Sequence, residues 1–172
     1  MIRGLLEYAM ASKTAPAAAV TDMNAVLRTV LQDLHIPIEE TGARVTADAL
    51  PKVAADETGM RQVLQNLISN AIKYRGEPRP EIHVGVKSAP GEWTFLVRDN
   101  GIGLDMKYAD QIFGLFERLD NDRSGTGIGL AVSRAIVERR GGRMWVESEP
   151  GKGAAFYFSL PMRAKAERGS FS

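Results

Sequence analysis

Residues 98–134 read RDNGIGLDMKYADQIFGLFERLDNDRSGTGIGLAVSR, two glycine-rich knots about twenty residues apart. The first, Asp99-Asn100-Gly101-Ile102-Gly103, closes the alternating run Glu92-Trp-Thr-Phe-Leu-Val-Arg-Asp99, which is predicted as a strand over 92–99. The second, Ser124-Gly125-Thr126-Gly127-Ile128-Gly129, opens a helix predicted over 127–140, with Ile128, Ala131, Val132, Ala135 and Ile136 facing inward and Gly141-Gly142 as its stop. Between them, residues 104–124 are too long for an idle connection in a compact domain, and such loops commonly act as lids.

Each knot has a chemistry that fits its place. A carboxylate at a strand end, Asp99, can accept a hydrogen bond from an exocyclic amine such as that of adenine, while Gly101 and Gly103 would let a flat ring approach the backbone. An Asn-Gly hairpin turn is the alternative, but no partner strand follows Gly103. At the second knot, small residues lead to the free N–H groups of a helix start, a natural phosphate cradle. A dinucleotide fingerprint is the rival there, yet it should follow a strand directly, and here a polar loop precedes. Gly151-Lys152 lacks the downstream Ser or Thr of a Walker A loop. One knot for a base and one for phosphates, with 104–124 closing over both, accounts for the spacing. Ile112, Phe113, Leu115 and Phe116 would tether that loop, with Arg118 and Arg123 turned to phosphate.

A helix predicted over 57–74 supplies the third element. Met60, Val63, Leu64, Leu67, Ile68 and Ala71 form its core stripe. Gln62, Asn66, Asn70 and Lys73 form a second stripe beside it, with Tyr74 between the two. Asparagine is a mediocre helix former, so two of them one turn apart beside a lysine suggest a use. Amide oxygens can ligate Mg²⁺ and Lys73 can offset phosphate charge; a plain solvated face is the alternative.

The remaining chain supplies a scaffold. Ile2, Leu5, Leu6, Ala9 and Met10 share one helical face. Residues 13–20 read as a linker or an edge strand. Thr21 or Asp22 can cap a helix carrying Val26, Leu27, Val30, Leu31 and Leu34, which Pro37 would end or kink near Ile36. Short strands are predicted at 43–46 and 52–55, a hairpin at 81–88 and 92–99, and a last hairpin at 143–148 and 153–160. Strands arriving as hairpins with helices between them predict an α+β two-layer sandwich: a mixed, mostly antiparallel sheet covered on one face by about three helices. With 44% hydrophobic and 25% charged residues and a net charge of +1, the 172-residue chain has an ordinary globular composition and no electrostatic footprint for nucleic acid. Zero cysteines and two isolated histidines argue against disulfides and metal clusters. No apolar run approaches the roughly 18 residues of a membrane span, and Glu7 interrupts any signal-peptide core. A cytoplasmic domain without membrane contact is the expectation.

In this order the motifs resemble those of the catalytic ATP-binding domain of bacterial sensor histidine kinases, of the GHKL superfamily with the Bergerat fold, over roughly residues 20–162. Asn66-Leu-Ile-Ser-Asn-Ala-Ile-Lys-Tyr74 is similar to the N box, which implies Asn70 as Mg²⁺ ligand, Asn66 and Lys73 as its phosphate-side companions, and Tyr74 as the aromatic against the nucleotide. Asp99 to Gly103 resembles the G1 box, Phe113-Gly-Leu-Phe116-Glu-Arg118 the F box, and Gly125-Thr126-Gly127-Ile-Gly129-Leu130 the G2 box. The phytochrome and PAS-sensor type is the nearest in character. The resemblance implies ATP and Mg²⁺ as cofactors and a division into 1–14, the remnant of a dimerisation hairpin's second helix, 15–162, the catalytic domain with its lid at about 104–124, and 163–172, a tail. It also implies three partners: the acceptor-histidine hairpin, a response regulator downstream, and a second copy in a homodimeric kinase.

Two departures qualify it. The family's acceptor histidine is followed by an acidic residue, whereas His35 precedes Ile36-Pro37 and His83 lies in a predicted strand. Both read as structural, and the chain as a piece of a longer kinase that does not phosphorylate itself. The lid is also a little shorter than in near relatives. The superfamily's ATPases carry a glutamate one turn before the Mg²⁺ asparagine, where this chain has Asn66, which favours the kinase. A nucleotide-binding pseudokinase serving as a docking module is the remaining alternative.

Overall fold

A computed structural model describes residues 19–114 and 129–162. The predicted helix at 2–10, the tail at 163–172 and the lid positions Leu115, Phe116, Arg118 and Arg123 lie outside the described residues, as do Gly125, Thr126 and Gly127.

The first elements are β1 (Val20–Asp22), α1 (Met23–Asp33), α2 (His35–Thr41), β2 (Arg44–Ala47) and β3 (Lys52–Ala54). Asp22 caps α1 by accepting from Asn24 N at 2.9 Å, as a short side-chain oxygen at a helix start does. Pro37 does not end this helix. The break falls at Leu34, and Pro37 occupies the first turn of α2, where its missing N–H has no helical partner to lose. β1 pairs antiparallel with β3 in a small separate sheet; the linker-or-edge-strand reading of 13–20 meets it at Val20, and residues 13–18 lie outside the described residues.

The rest comprises α3 (Glu57–Lys73), β4 (Glu81–Ala89), β5 (Glu92–Asp99), α4 (Gly129–Arg139), β6 (Met144–Ser148) and β7 (Ala154–Pro161). The main sheet runs β2-β4-β5-β7-β6; β2 and β4 are parallel and the other three pairings antiparallel. A parallel neighbour needs a long crossover, and the segment carrying β3 and α3 provides it. One sheet face is apolar: Ile82 and Val84, Phe95 and Val97, Phe156 and Phe158, Met144 and Val146 are buried there, with Phe95 and Phe158 stacked at 4.9 Å. Against it α3 lies between α1 and α4, its stripe of Met60, Val63, Leu64, Leu67 and Ile68 at most 1% exposed. The other sheet face carries His83, Arg98 and the stacked pair Trp145 and Tyr157. The mixed two-layer sandwich is therefore as expected.

Asp56 ties two helices of this layer together. It caps α3, accepting from Gly59 N at 2.8 Å, and takes an ion pair of 2.6 Å from Arg140, just past α4. Burial alone pushes its carboxyl up, but the Arg140 hydrogen bond, the Gly59 N–H and the Arg140 charge outweigh that and hold it below its ordinary value. A carboxyl depressed on folding stabilises above its unfolded pKa and loses that contribution as pH falls through the folded one. Asp56→Ala should thus cost about 2–3 kcal/mol in urea unfolding at neutral pH, and the difference from wild type should shrink in acid.

Candidate nucleotide site

Both glycine knots converge on α3. The first sits against its C-terminus: Ile102 N donates to Tyr74 O at 3.0 Å. The second ends against its middle: Asn66 Nδ2 donates to Gly129 O at 2.8 Å and to Ser133 Oγ at 2.9 Å. Asn66, Asn70, Lys73, Tyr74, Asp99, Gly101, Gly103, Gly129 and Leu130 thus fall along the C-terminal half of α3, the end of β5 with the loop after it, and the start of α4.

Asp99 continues the inward-facing row of Phe95 and Val97 and is paired across the ladder with Ile82. Its Oδ1 accepts from Gly101 N at 2.8 Å and from Ala154 N at 3.2 Å. Burial raises its carboxyl above the ordinary aspartate value, against the lowering effect of those two N–H groups. Its second oxygen receives no hydrogen bond from the described residues. A half-buried carboxylate with one oxygen fixed and one unspent is equipped to accept from a ligand's N–H group.

The glycines have a different reason from the one expected. A Cβ on Gly101 would stand 2.4 Å from Tyr74 O, and one on Gly103, at φ 68°, 2.1 Å from Glu149 O. Their space is filled by the protein's own backbone, not held open for a flat ring. They let the loop after β5 wedge between the end of α3 and the β6–β7 turn, where Gly151 N donates to Ile102 O at 2.7 Å. Gly153 completes the wedge: at φ 80°, its Cβ would meet Asp99 O at 2.1 Å.

On α3, Asn70 is half-buried, and its side chain takes no hydrogen bond from the described residues. Lys73 Nζ lies 5.7 Å from the Tyr74 ring centroid, a contact in cation–π range. Among the described residues no group of three or more His, Asp or Glu side chains could hold a metal. A divalent ion here would rest on amide oxygens and ligand phosphates, the arrangement Mg²⁺ commonly takes, and Asn70 fits such a donor set.

The start of the loop, 104–114, is more structured than a bare lid. Asp105 caps a 3₁₀ turn at Met106–Tyr108, and a second turn at Gln111–Phe113 buries Ile112 and Phe113. Phe113 packs edge-on to Phe156 at 6.3 Å, with the Arg134 guanidinium 5.3 Å over its ring. The expected tether therefore exists at Ile112 and Phe113. Leu104 N donates to Ser148 Oγ at 2.9 Å, and Ser148 donates to Gly153 O at 2.6 Å, pinning the loop's first residue.

Sequence reasoning missed Ser148, Gly153, Ala154 and Ser133. The double glycine of Pro150-Gly-Lys-Gly153 was a usable signal, since a hairpin turn needs only one; a serine inside the apolar stripe of α4 was another. Both histidines are held structurally, His35 Nδ1 2.8 Å from Gln32 O, and His83 between Thr46 Oγ1 at 2.8 Å and Asp48 Oδ1 at 3.2 Å. A cavity of about 380 Å³ lies at the end of the sheet, lined by Arg44, His83, Arg98 and Lys152 among others. Most of these side chains belong to the sheet's outer face, and Asp99 lines the cavity too, so it adjoins the end of β5.

A helix-covered mixed sheet of this kind is shared with solved histidine kinase catalytic domains. Full-length ShkA in complex with AMPPNP superimposes with a TM-score of 0.81 at 28% identity, over 95% of this chain and 35% of that one. The histidine kinase ThkA in complex with the response regulator TrrA shares the fold with a TM-score of 0.76 at 24% identity, over 95% of this chain and 47% of that one. The model of the histidine kinase-, DNA gyrase B- and HSP90-like ATPases matches residues 55–164, and the chain belongs to that family. Among curated relatives, cyanobacterial phytochrome A of Nostoc sp. is 45% identical over 94% of this chain and 21% of its own length. The methanogenesis regulatory histidine kinase FilI of Methanothrix harundinacea is 44% identical over 72% of this chain and 14% of its own. This chain therefore spans about a fifth or less of these relatives.

Proposed function

We propose that the chain is the ATP-binding catalytic module of a two-component sensor histidine kinase, which delivers the γ-phosphoryl group of Mg-ATP to a histidine outside these 172 residues. The observation that carries this reading is the pair Asn66 and Asp99. Asp99 offers an unspent oxygen of a half-buried carboxylate for the adenine amino group, and one turn before Asn70 stands an amide committed to α4, not a carboxylate able to activate water. The AMPPNP complex of ShkA supports a nucleotide in such a fold.

Phosphoryl transfer of this kind is mainly positioning and charge stabilisation. Asp99 selects the base and Tyr74 packs against it, while Gly101 and Gly103 shape the loop that carries Asp99. Asn70 would hold Mg²⁺ through its amide oxygen, and Lys73 would offset phosphate charge. By their place in the sequence, Gly125, Thr126, Gly127, Gly129 and Leu130 would form the phosphate cradle, and Phe116 and Arg118 would contribute from the segment before it. The bound ion neutralises charge on the transferring group. The partners are a hairpin carrying the acceptor histidine, a response regulator, and a second copy in a homodimeric kinase; the module works in the cytoplasm.

Neither His35 nor His83 has the acidic follower of an acceptor. With radiolabelled ATP and an alkaline gel, the chain alone should gain no acid-labile phosphate and should hydrolyse ATP slowly. A hairpin segment bearing the histidine of the same kinase should be labelled when added. Labelling of this chain alone, lost in His35→Ala or His83→Ala, would overturn the reading, and fast hydrolysis would favour an ATPase.

A further inference from the structure

Ser133 is fully buried in α4, at 0% exposure, and nothing in the nucleotide reading above uses it. Its Oγ and the Gly129 carbonyl both lie against Asn66 Nδ2, at 2.9 and 2.8 Å. A backbone carbonyl only accepts, so the Asn66 atom facing Gly129 has to be the nitrogen. Both amide hydrogens are then committed to α4, one to the carbonyl and one to the hydroxyl. The amide oxygen is left on the Gln62 side, where it accepts from Gln62 Nε2 at 3.3 Å and keeps a second lone pair. Asn66 can therefore offer an acceptor but has no donor to give.

We propose that Ser133 is a positioning residue: its hydroxyl holds the Asn66 NH₂ on α4, so that an Mg²⁺-bound nucleotide at the polar stripe of α3 meets Asn66 as an acceptor and not as a donor. This rests on the kinase reading and adds to it the residue that orients Asn66. The orientation matters because an oxygen can ligate a hard cation or accept from a water on it, whereas an NH₂ group beside the same charge is repelled. The same two bonds clamp the first turn of α4, where the second glycine knot ends, onto α3. Metal binding and the phosphate cradle are thereby joined through one amide. Without the hydroxyl one N–H loses its partner in a buried setting, and the amide is free to turn.

Ser133→Ala removes one oxygen and should fold. In ¹⁵N-resolved spectra, the Asn66 side-chain amide protons should exchange with water about tenfold faster in this variant, as loss of one hydrogen bond implies. A non-hydrolysable ATP analogue should bind the magnesium-free variant within about twofold of wild type, while the tightening that Mg²⁺ brings should fall by about tenfold. Ser133→Thr, which keeps the hydroxyl, should restore both. Unchanged Asn66 exchange in Ser133→Ala overturns the proposal. Equal losses of affinity with and without Mg²⁺ also overturn it, because they mark a merely structural serine. If wild type binds no analogue at all, the kinase reading fails and takes the Mg²⁺ role with it, while the exchange measurement still decides the hydrogen-bond assignment on its own.

Discussion

Asp99→Asn is expected to leave the protein at least as stable as wild type while weakening adenine nucleotides by about 100-fold, the loss of one charge-assisted hydrogen bond in a dry site. The two halves have one cause. Gly101 N and Ala154 N both point at Oδ1 and need an acceptor there, so an asparagine must place its oxygen at that position. Its NH₂ then faces outward, a donor against the donor amine of adenine. Burial raises the Asp99 carboxyl above its ordinary value, and a carboxyl raised on folding is a cost once pH exceeds its folded pKa, relieved as pH falls. The asparagine removes that cost at neutral pH. Melting temperature by circular dichroism and affinity by calorimetric titration test the two halves separately. A variant that melts well below wild type would identify Asp99 as a structural group, and one with unchanged affinity would remove it from the adenine contact.

Gly153→Ala should damage both properties at once. At φ 80° a side chain is strained, and the added Cβ would sit 2.1 Å from Asp99 O and 3.0 Å from Asn100 Cα. Backbone on both sides cannot yield as the end of a long side chain can. A loss of about 2–4 kcal/mol is expected from the combined strain and clash, read in urea unfolding. Nucleotide affinity should fall with it, since the displaced strand end carries Asp99. Gly151→Ala is the control for the strain alone, because at φ 78° its Cβ meets nothing within 4 Å; equal effects of the two substitutions would contradict the wedge.

The contrast between these glycines shows where reading the chain in one dimension stops. Local periodicity carried α3, whose stripe from Met60 to Ala71 is buried as spaced, and the alternating hairpin of β4 and β5. Asp99 and the polar stripe of Asn66 and Asn70 stood out because such residues are poor choices for their elements unless used. What escaped was long-range. The parallel pairing of β2 with β4 and the pairing of β1 with β3 join residues 30 or more positions apart and leave no periodic trace. Pro37 was read as a stop because breaking one helix and starting the next favour the same residue. Gly101 and Gly103 were recognised as special, but their neighbours, Tyr74 O and Glu149 O, are fixed only by the fold. Ser133 gains a role only from the amide of Asn66, 67 positions away, which the fold sets against it.

The central claim is that the end of α3, β5 and α4 holds an adenine nucleotide with Mg²⁺. Calorimetric titration of the wild-type chain with ADP, in the presence and absence of Mg²⁺, tests it most directly. The account predicts saturable binding of one nucleotide per chain in the micromolar range, tighter with Mg²⁺ and weakened in Asp99→Asn. No saturable heat from the folded wild-type protein, with or without the metal, would contradict it.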